Sequence, residues 1–443
     1  MRSVGVTIAG CLLVLSGCSY HNVVHNAAGL YAEAEAHRRA GRDSVAHVQY
    51  SLVIEKTGQA FRARPDSEWA GEALFLLARS RLRVGDLRAA DAALSEARHR
   101  TQHPALRAEI LVYQAIVQFE AGDRNGALER ANEALEGPIK GEALAEAHLL
   151  RGRLLLGRRL TDQGWWDLDR ASEAYEPLRV EADLDRLRFG VRHDDRSRAR
   201  WALEGLLAHA EAGPRTDTIV ALVGQATARW GASEAARLLA GADSSTWDRT
   251  ARGRIALERA RLLDLGGDTI AAAAQAWSIA RGLGQSAAEA RLLISSWRLT
   301  RSRDLREAFA VRAILLPAGG DPRVAQTLES IELLEHFTTV GLNEALGWFA
   351  AAEVARDQLG AVHLARGFFL AYADGAPADP WAPKALLAAL EVSSAEGDRS
   401  WLRGRLEAHA RSPYVLAAFG GPAAGFEELE EELDVRLREL TRR

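Results

Sequence analysis

Small residues recur in this chain every 37 positions. Leu74, Ala78, Ala90, Leu94 and Ala97 are followed 37 residues on by Leu111, Ala115, Ala127, Ala131 and Ala134, and 37 further by His148, Gly152, Gly164, Leu168 and Ala171. A period of that length, written in helix formers, marks a chain that stacks one small unit on the next, each burying a face it cannot bury alone. The small residues say what the unit is, because two helices approach closely only where Ala or Gly clears their crossing. One falls in a first helix (Ala78, Ala115, Gly152) and two in a second (Ala90 and Ala97, Ala127 and Ala134, Gly164 and Ala171). Between the helices, Val84-Gly85-Asp86 and Ala121-Gly122-Asp123 supply a left-handed stop and a cap for the next start. No stretch sustains an alternation of β-branched and polar residues, so strands are not expected and the chain is all-α.

Further copies keep the punctuation with a looser fit. Leu257 to Asp264, the turn Gly266-Gly267-Asp268, then Ala272, Ala276 and Ile279 form one; Leu292 to Leu299, Arg303-Asp304, then Ala308 and Leu315 form the next. Hairpins over 177–211 and 216–241 are weaker. Pro65-x-x-x-Trp69-Ala70-x-x-Ala73-Leu74 returns as Pro377-x-x-x-Trp381-Ala382-x-x-Ala385-Leu386, with the Pro expected in a helix's first turn. The small-residue register resembles the tetratricopeptide repeat, departing from it at the large positions, here Leu74, Arg81 and Leu94. The Pro-to-Trp-Ala helix start resembles bacterial repeat lipoproteins such as the helical lipoprotein of the outer-membrane β-barrel assembly machine, a superfamily-level likeness strongest over 65–135 and 345–415. It implies a right-handed α-solenoid of about ten tetratricopeptide-like hairpins over residues 30–418. No Pro-, Gly- or Ser-rich linker interrupts that span, so one array is expected, with Ala318-Gly319-Gly320-Asp321-Pro322 the best place for a break.

The N-terminus reads as an address. Met1-Arg2-Ser3 precedes an uncharged apolar run, Val4 to Leu15, which as a helix rises about 20 Å, short of a ~30 Å hydrocarbon core. Leu15-Ser16-Gly17-Cys18 resembles the bacterial lipobox, which implies a signal peptide over 1–17, palmitate and diacylglycerol on Cys18, and a short tether over 18–29. By the family's sorting rule, Ser19 after the cysteine implies an outer-membrane anchor facing the periplasm. Cleavage before Cys18 removes Cys11, so the mature chain has no disulfide and depends on packing.

The sequence carries no recognisable catalytic motif. Gly282-x-Gly284-x-x-Ala287 lacks the strand that a dinucleotide fingerprint requires, and the three lysines, Lys56, Lys140 and Lys384, sit in no phosphate-loop context. His21 and His25 share a helical face without a third ligand nearby. No enzyme, cofactor or metal site is expected. A formal charge of −4 argues against a nucleic-acid-coating surface, although nearly all of the 56 basic residues are arginines.

Two features remain as candidate partner contacts. Trp165 and Trp166 are adjacent on a helix, point about 100° apart and cannot both face one core. Residues 419–443 end in an amphipathic helix with Phe426, Leu433 and Leu440 seven apart, which reads as a cap on the last repeat or as a docking helix. The expected function is a lipid-anchored, periplasm-facing scaffold whose concave face binds protein, as in β-barrel insertion or export. The alternative is a glycan-binding, polysaccharide-export-associated repeat lipoprotein.

Overall fold

The computed structural model describes the backbone of residues 4–442 except 245 and 283, and the side chains of 22–241, 246–282 and 284–441. Every regular element among the described residues is helical. The chain divides into two compact units, Met1–Ile255 and Ala256–Arg443.

The first unit is a succession of helical hairpins: α1 (Val4–Arg39) with α2 (Asp43–Ala63), α3 (Ala70–Arg83) with α4 (Leu87–Arg100), α5 (Pro104–Glu120) with α6 (Arg124–Leu135), α7 (Gly141–Gly157) with α8 (Thr161–Ala174), and α9 (Arg179–Arg192) with α10 (Arg196–Ala208). A shorter pair, α11 (Thr216–Trp230) and α12 (Ala232–Leu238), follows. The small residues lie at the crossings. Ala78, Ala90, Ala97, Ala115, Ala127, Ala134 and Ala171 are wholly buried, and a methyl on Gly152 or Gly164 would press on the other's carbonyl oxygen at 3.1 and 3.0 Å. Helices α3 to α7 thus share a continuous core running from Leu74 to Leu154.

Two expectations change here. Residues 18–29, read as a tether, are helical within α1, and Val24 and Ala27 are already packed, because the buried face of α1 begins at Val24. The lipobox side chains Leu15, Ser16, Gly17 and Cys18 lie outside the described residues. The expected single array also divides, inside α13 (Arg249–Leu265), instead of at 318–322. At seven residues, α12 offers the next hairpin little surface, and Trp247 fills the space after it, 2% exposed with Nε1 donating to Leu206 O at 3.0 Å.

The second unit contains α14 (Thr269–Ala280), α15 (Gln285–Arg301), the short α16 (Leu305–Ala310) and α17 (Arg312–Leu315), α18 (Pro322–Gly341), α19 (Leu346–Glu353), α20 (Val362–Gly375), α21 (Ala382–Glu391), α22 (Glu396–Glu407), α23 (Pro413–Ala418) and α24 (Phe426–Arg442). Within 318–322, Asp321 caps α18 by accepting from Arg323 N and Val324 N. Gly282 and Gly284 belong to the connection between α14 and α15. The repeated Pro-to-Trp motif differs in one detail from its reading as a helix's first turn. Pro65 and Pro377 sit in the preceding turn, and Trp69 and Trp381 occupy the N-cap positions of α3 and α21 at the same φ of −92°.

Helix α24 packs back onto its own unit. Leu433 and Leu440 are buried, Trp381 Nε1 donates to Leu429 O at 3.0 Å, and Lys384 Nζ meets Glu430 at 2.7 Å. Deleting residues 424–443 should uncover Trp381 and lower the thermal midpoint of this unit by roughly 10 °C, since two buried leucines alone contribute several kcal/mol. An unchanged midpoint in calorimetry would mean that the helix stabilises nothing.

Candidate functional site: an arginine-lined turn edge

The helices of the first unit are joined by a network of their own charges. Glu35 on α1 accepts from Arg83 Nε at 2.7 Å, Arg38 Nη2 at 2.9 Å and the Tyr50 hydroxyl at 2.7 Å. Arg83 continues to Glu146 at 2.9 Å, and Arg79 bonds Glu142 at 2.6 Å while stacked between Tyr31 and Tyr113, 4.3 and 4.7 Å from the ring centroids. Arg38 and Arg215 both approach Glu181 at 3.8 Å, and Arg215 Nη2 donates to Arg38 O, so α1 meets the chain 140 and more residues on. Burial pushes the Tyr31 phenol up to about 12. Burial also pushes Glu35 upward, but the Arg83 and Arg38 guanidiniums and the Tyr50 hydroxyl outweigh it and hold the carboxyl far below the usual range. This interior is a buried structural hub.

The open surface is at the turns inside the hairpins. Each of six turns closes with the same bond, from Arg42 N to His37 O, Asp86 N to Arg81 O, Asp123 N to Gln118 O, Leu160 N to Leu155 O, Asp195 N to Gly190 O and Asp268 N to Leu263 O, at 2.8 to 3.0 Å. The residue before the donor is left-handed in every case: Gly41, Gly85, Gly122, Arg159, Asp194 and Gly267. The donor then caps the next helix, as Asp86, Asp123, Asp195 and Asp268 do by accepting from the backbone three residues on. Glycine is missing from the left-handed position in the α7–α8 and α9–α10 turns, and the capping acid is missing in α1–α2 and α7–α8, so the α7–α8 turn alone lacks both. Arg159 holds φ +63° where a side chain is disfavoured by about 1 kcal/mol, and Leu160, 44% exposed, has no oxygen with which to cap α8, a loss of about 1 kcal/mol more.

Both departures remove stability and, together, replace an acid with a base. Their neighbour Arg158 lines a cleft of about 550 Å³ built from the C-terminal ends of α5, α7 and α9 and the start of α6. Its floor is Phe119, Leu154, Leu156 and Phe189, and its rim carries Arg124, Arg153, Arg158, Arg188 and Arg192 against one acid, Asp185. That acid is already taken by Arg153 and by Arg188. An adjoining hollow of about 470 Å³ shares Phe189, Arg192 and His193 and adds Arg159, Arg198 and Arg229 with the acids Asp194 and Asp195, of which Asp195 pairs with Arg198. Among the described residues no carboxylate pairs with Arg124, Arg158, Arg159, Arg192 or Arg229. The His193 imidazole registers the field: burial and the Arg159, Arg192 and Arg229 guanidiniums push it below the usual histidine range.

The tryptophan pair splits. Trp165 is half-buried against Phe189 and Trp201 with Arg186 and Arg198 over its ring, whereas Trp166 is 51% exposed. Trp166 borders an open hollow with Asn132, Gln163 and Arg151, where buried Asp167 fixes Arg151 by two bonds of 2.8 and 2.7 Å and His148 by a third. Sequence reasoning missed the arginine edge, although a signal existed: Arg124, Arg158, Arg192 and Arg229 recur at spacings of 34, 34 and 37, one per hairpin turn. Among the described residues, no three His, Cys, Asp or Glu side chains converge as metal ligands, and no helix is long and apolar enough to cross a membrane.

No family model matches the chain, and no curated protein matches it. Among solved structures, a similar chain comes from the structure of Naa15/Naa10 bound to HypK-THB, 12% identical over 86% of this chain and 68% of that one. Its TM-score of 0.24 is too low to support any inference about this chain. Among its described residues the protein is an all-α chain of consecutively packed helical hairpins.

Proposed function

We propose that the protein is a lipid-anchored helical-repeat scaffold that holds a protein partner at the periplasmic face of the outer membrane, in assembly or export there. The lipobox at Leu15 to Cys18 supports the anchor. With α1 helical throughout, Cys18 stands only about 9 Å along the helix from Val24, where packing begins, so the repeats are held near the bilayer beside any embedded β-barrel. The observation that carries the binding role is the α7–α8 turn, where Arg159, in a strained left-handed position, adds a guanidinium without a carboxylate partner to the hollow that already holds Arg192 and Arg229. Strain of this kind concentrates where a surface does work. The reading assigns the chain no catalysis.

Gentle solubilisation of native membranes, capture through the C-terminus and mass spectrometry test this. A periplasm-exposed β-barrel or export component should co-purify and be lost with Arg159→Glu/Arg192→Glu, while Cys18→Ser should release the chain from the membrane. An unchanged set of captured proteins in the charge-reversed variant would contradict it.

A second reading, glycan binding, rests on Trp166 alone: an exposed indole face beside Asn132, Gln163 and Arg151 suits a sugar ring stacked and hydrogen-bonded at its edge. Quenching of tryptophan fluorescence by peptidoglycan or uronate fragments, abolished by Trp166→Ala, would favour it.

A further inference from the structure

We propose that the arginine edge receives an extended segment of the partner in which acidic residues recur at every third position, with apolar residues between them. This deepens the scaffold reading and rests on it.

Register and floor chemistry both point to such a segment. Arg124, Arg158, Arg192 and Arg229 recur once per hairpin, each at the turn end of its hairpin, and Arg229 Nη1 donates to Arg192 O while Arg158 Nη2 donates to Asn125 Oδ1. The rungs are therefore tied turn to turn. Stacked helices lie about 8–10 Å apart, so the rungs repeat on that scale. An extended chain advances about 3.3 Å per residue and brings every third side chain to the same spacing, ~10 Å. A helix would need seven residues for that advance, and its ~10 Å girth would hold its axis off the floor. Guanidiniums without carboxylate partners are matched to carboxylates, each of which they can grip with two parallel hydrogen bonds.

The floor decides against a bare polyanion. Phe119, Leu154, Leu156 and Phe189 present apolar surface between the charges, which a polyuronate or polyphosphate has nothing to cover and an apolar side chain does. Arg159 widens the positive field at the midpoint of the ladder.

The test is fluorescence anisotropy on the full chain in detergent, with three labelled probes: a twelve-residue peptide repeating Glu-Leu-Ser, a peptide of identical composition with its glutamates in one block, and an oligouronate of equal charge. The periodic peptide should bind at least about tenfold tighter than either other probe, and raising salt from about 50 to 300 mM should weaken it further. Arg192→Ala and, separately, Arg124→Ala should each weaken it about tenfold with the helical circular dichroism unchanged; both side chains are exposed, so folding is not at stake. Equal binding of the blocked peptide overturns the register, and equal binding of the oligouronate overturns the peptide. If no probe binds while membrane capture still depends on Arg159 and Arg192, this inference fails and the scaffold reading stands. If capture is also indifferent to them, both fail.

Discussion

Replacing Glu35 with alanine should destabilise the first unit by about 3–5 kcal/mol in urea unfolding, because it leaves buried guanidiniums without their counter-charge. Glu35 is 2% exposed and holds Arg83, Arg38 and the Tyr50 hydroxyl together. Its loss strands cations that have already left water. In a double-mutant cycle, Glu35→Ala/Arg83→Ala should cost clearly less than the two single changes summed, since the second removes the charge that the first exposes. The same group sets a pH dependence. Its folded pKa is depressed, so its contribution is complete above the unfolded value of about 4.3 and is lost as pH falls toward the folded one. The wild-type chain should therefore lose stability below about pH 4.3, and Glu35→Gln should flatten that limb. A loss under about 1 kcal/mol for Glu35→Ala would show that water screens the hub.

Gly190→Val should cost about 3 kcal/mol or more, at the upper end for overpacking. A Cβ there would lie 2.7 Å from the backbone nitrogen of Ala199 and 2.9 Å from its Cα, and backbone cannot move aside as a side-chain end can. Helices α9 and α10 would have to separate. Gly224 on α11 is the control: it faces open space, so Gly224→Ala should stabilise by about 0.5–1 kcal/mol through helix propensity. A valine at 190 that leaves the urea midpoint unchanged would refute the close crossing.

Gly190 also explains how far the repeat was legible. It follows Gly152 by 38 residues, and its partner Ala199 follows Gly164 by 35, so a strict 37-residue frame loses the α9–α10 hairpin although the crossing chemistry persists. Small residues at crossings can be read because each is a local steric demand. The Glu35–Arg83–Glu146 hub cannot, since it joins residues 48 and 63 apart that look like ordinary helix surface until the hairpins stack. The arginine edge lay between these cases. Its rungs recur in sequence, but only the turns' left-handed residues, Gly85, Gly122, Arg159 and Asp194, show that Arg159 occupies a glycine's place. Trp165 and Trp166 were separable in advance by the helical angle, whereas which of them is exposed depended on Phe189 and Trp201.

The central claim is that the α7–α8 turn gives up stability to present charge. Arg159→Gly with Leu160→Asp restores the turn of the sibling hairpins, so one experiment can read both sides. Urea unfolding of this double variant should show a gain of about 1.5 kcal/mol, from the relieved left-handed backbone and the new N-cap, while anisotropy of the periodic acidic peptide shows binding weakened about tenfold. A variant that is more stable and binds as well as the wild type, or one that is no more stable at all, would contradict the account.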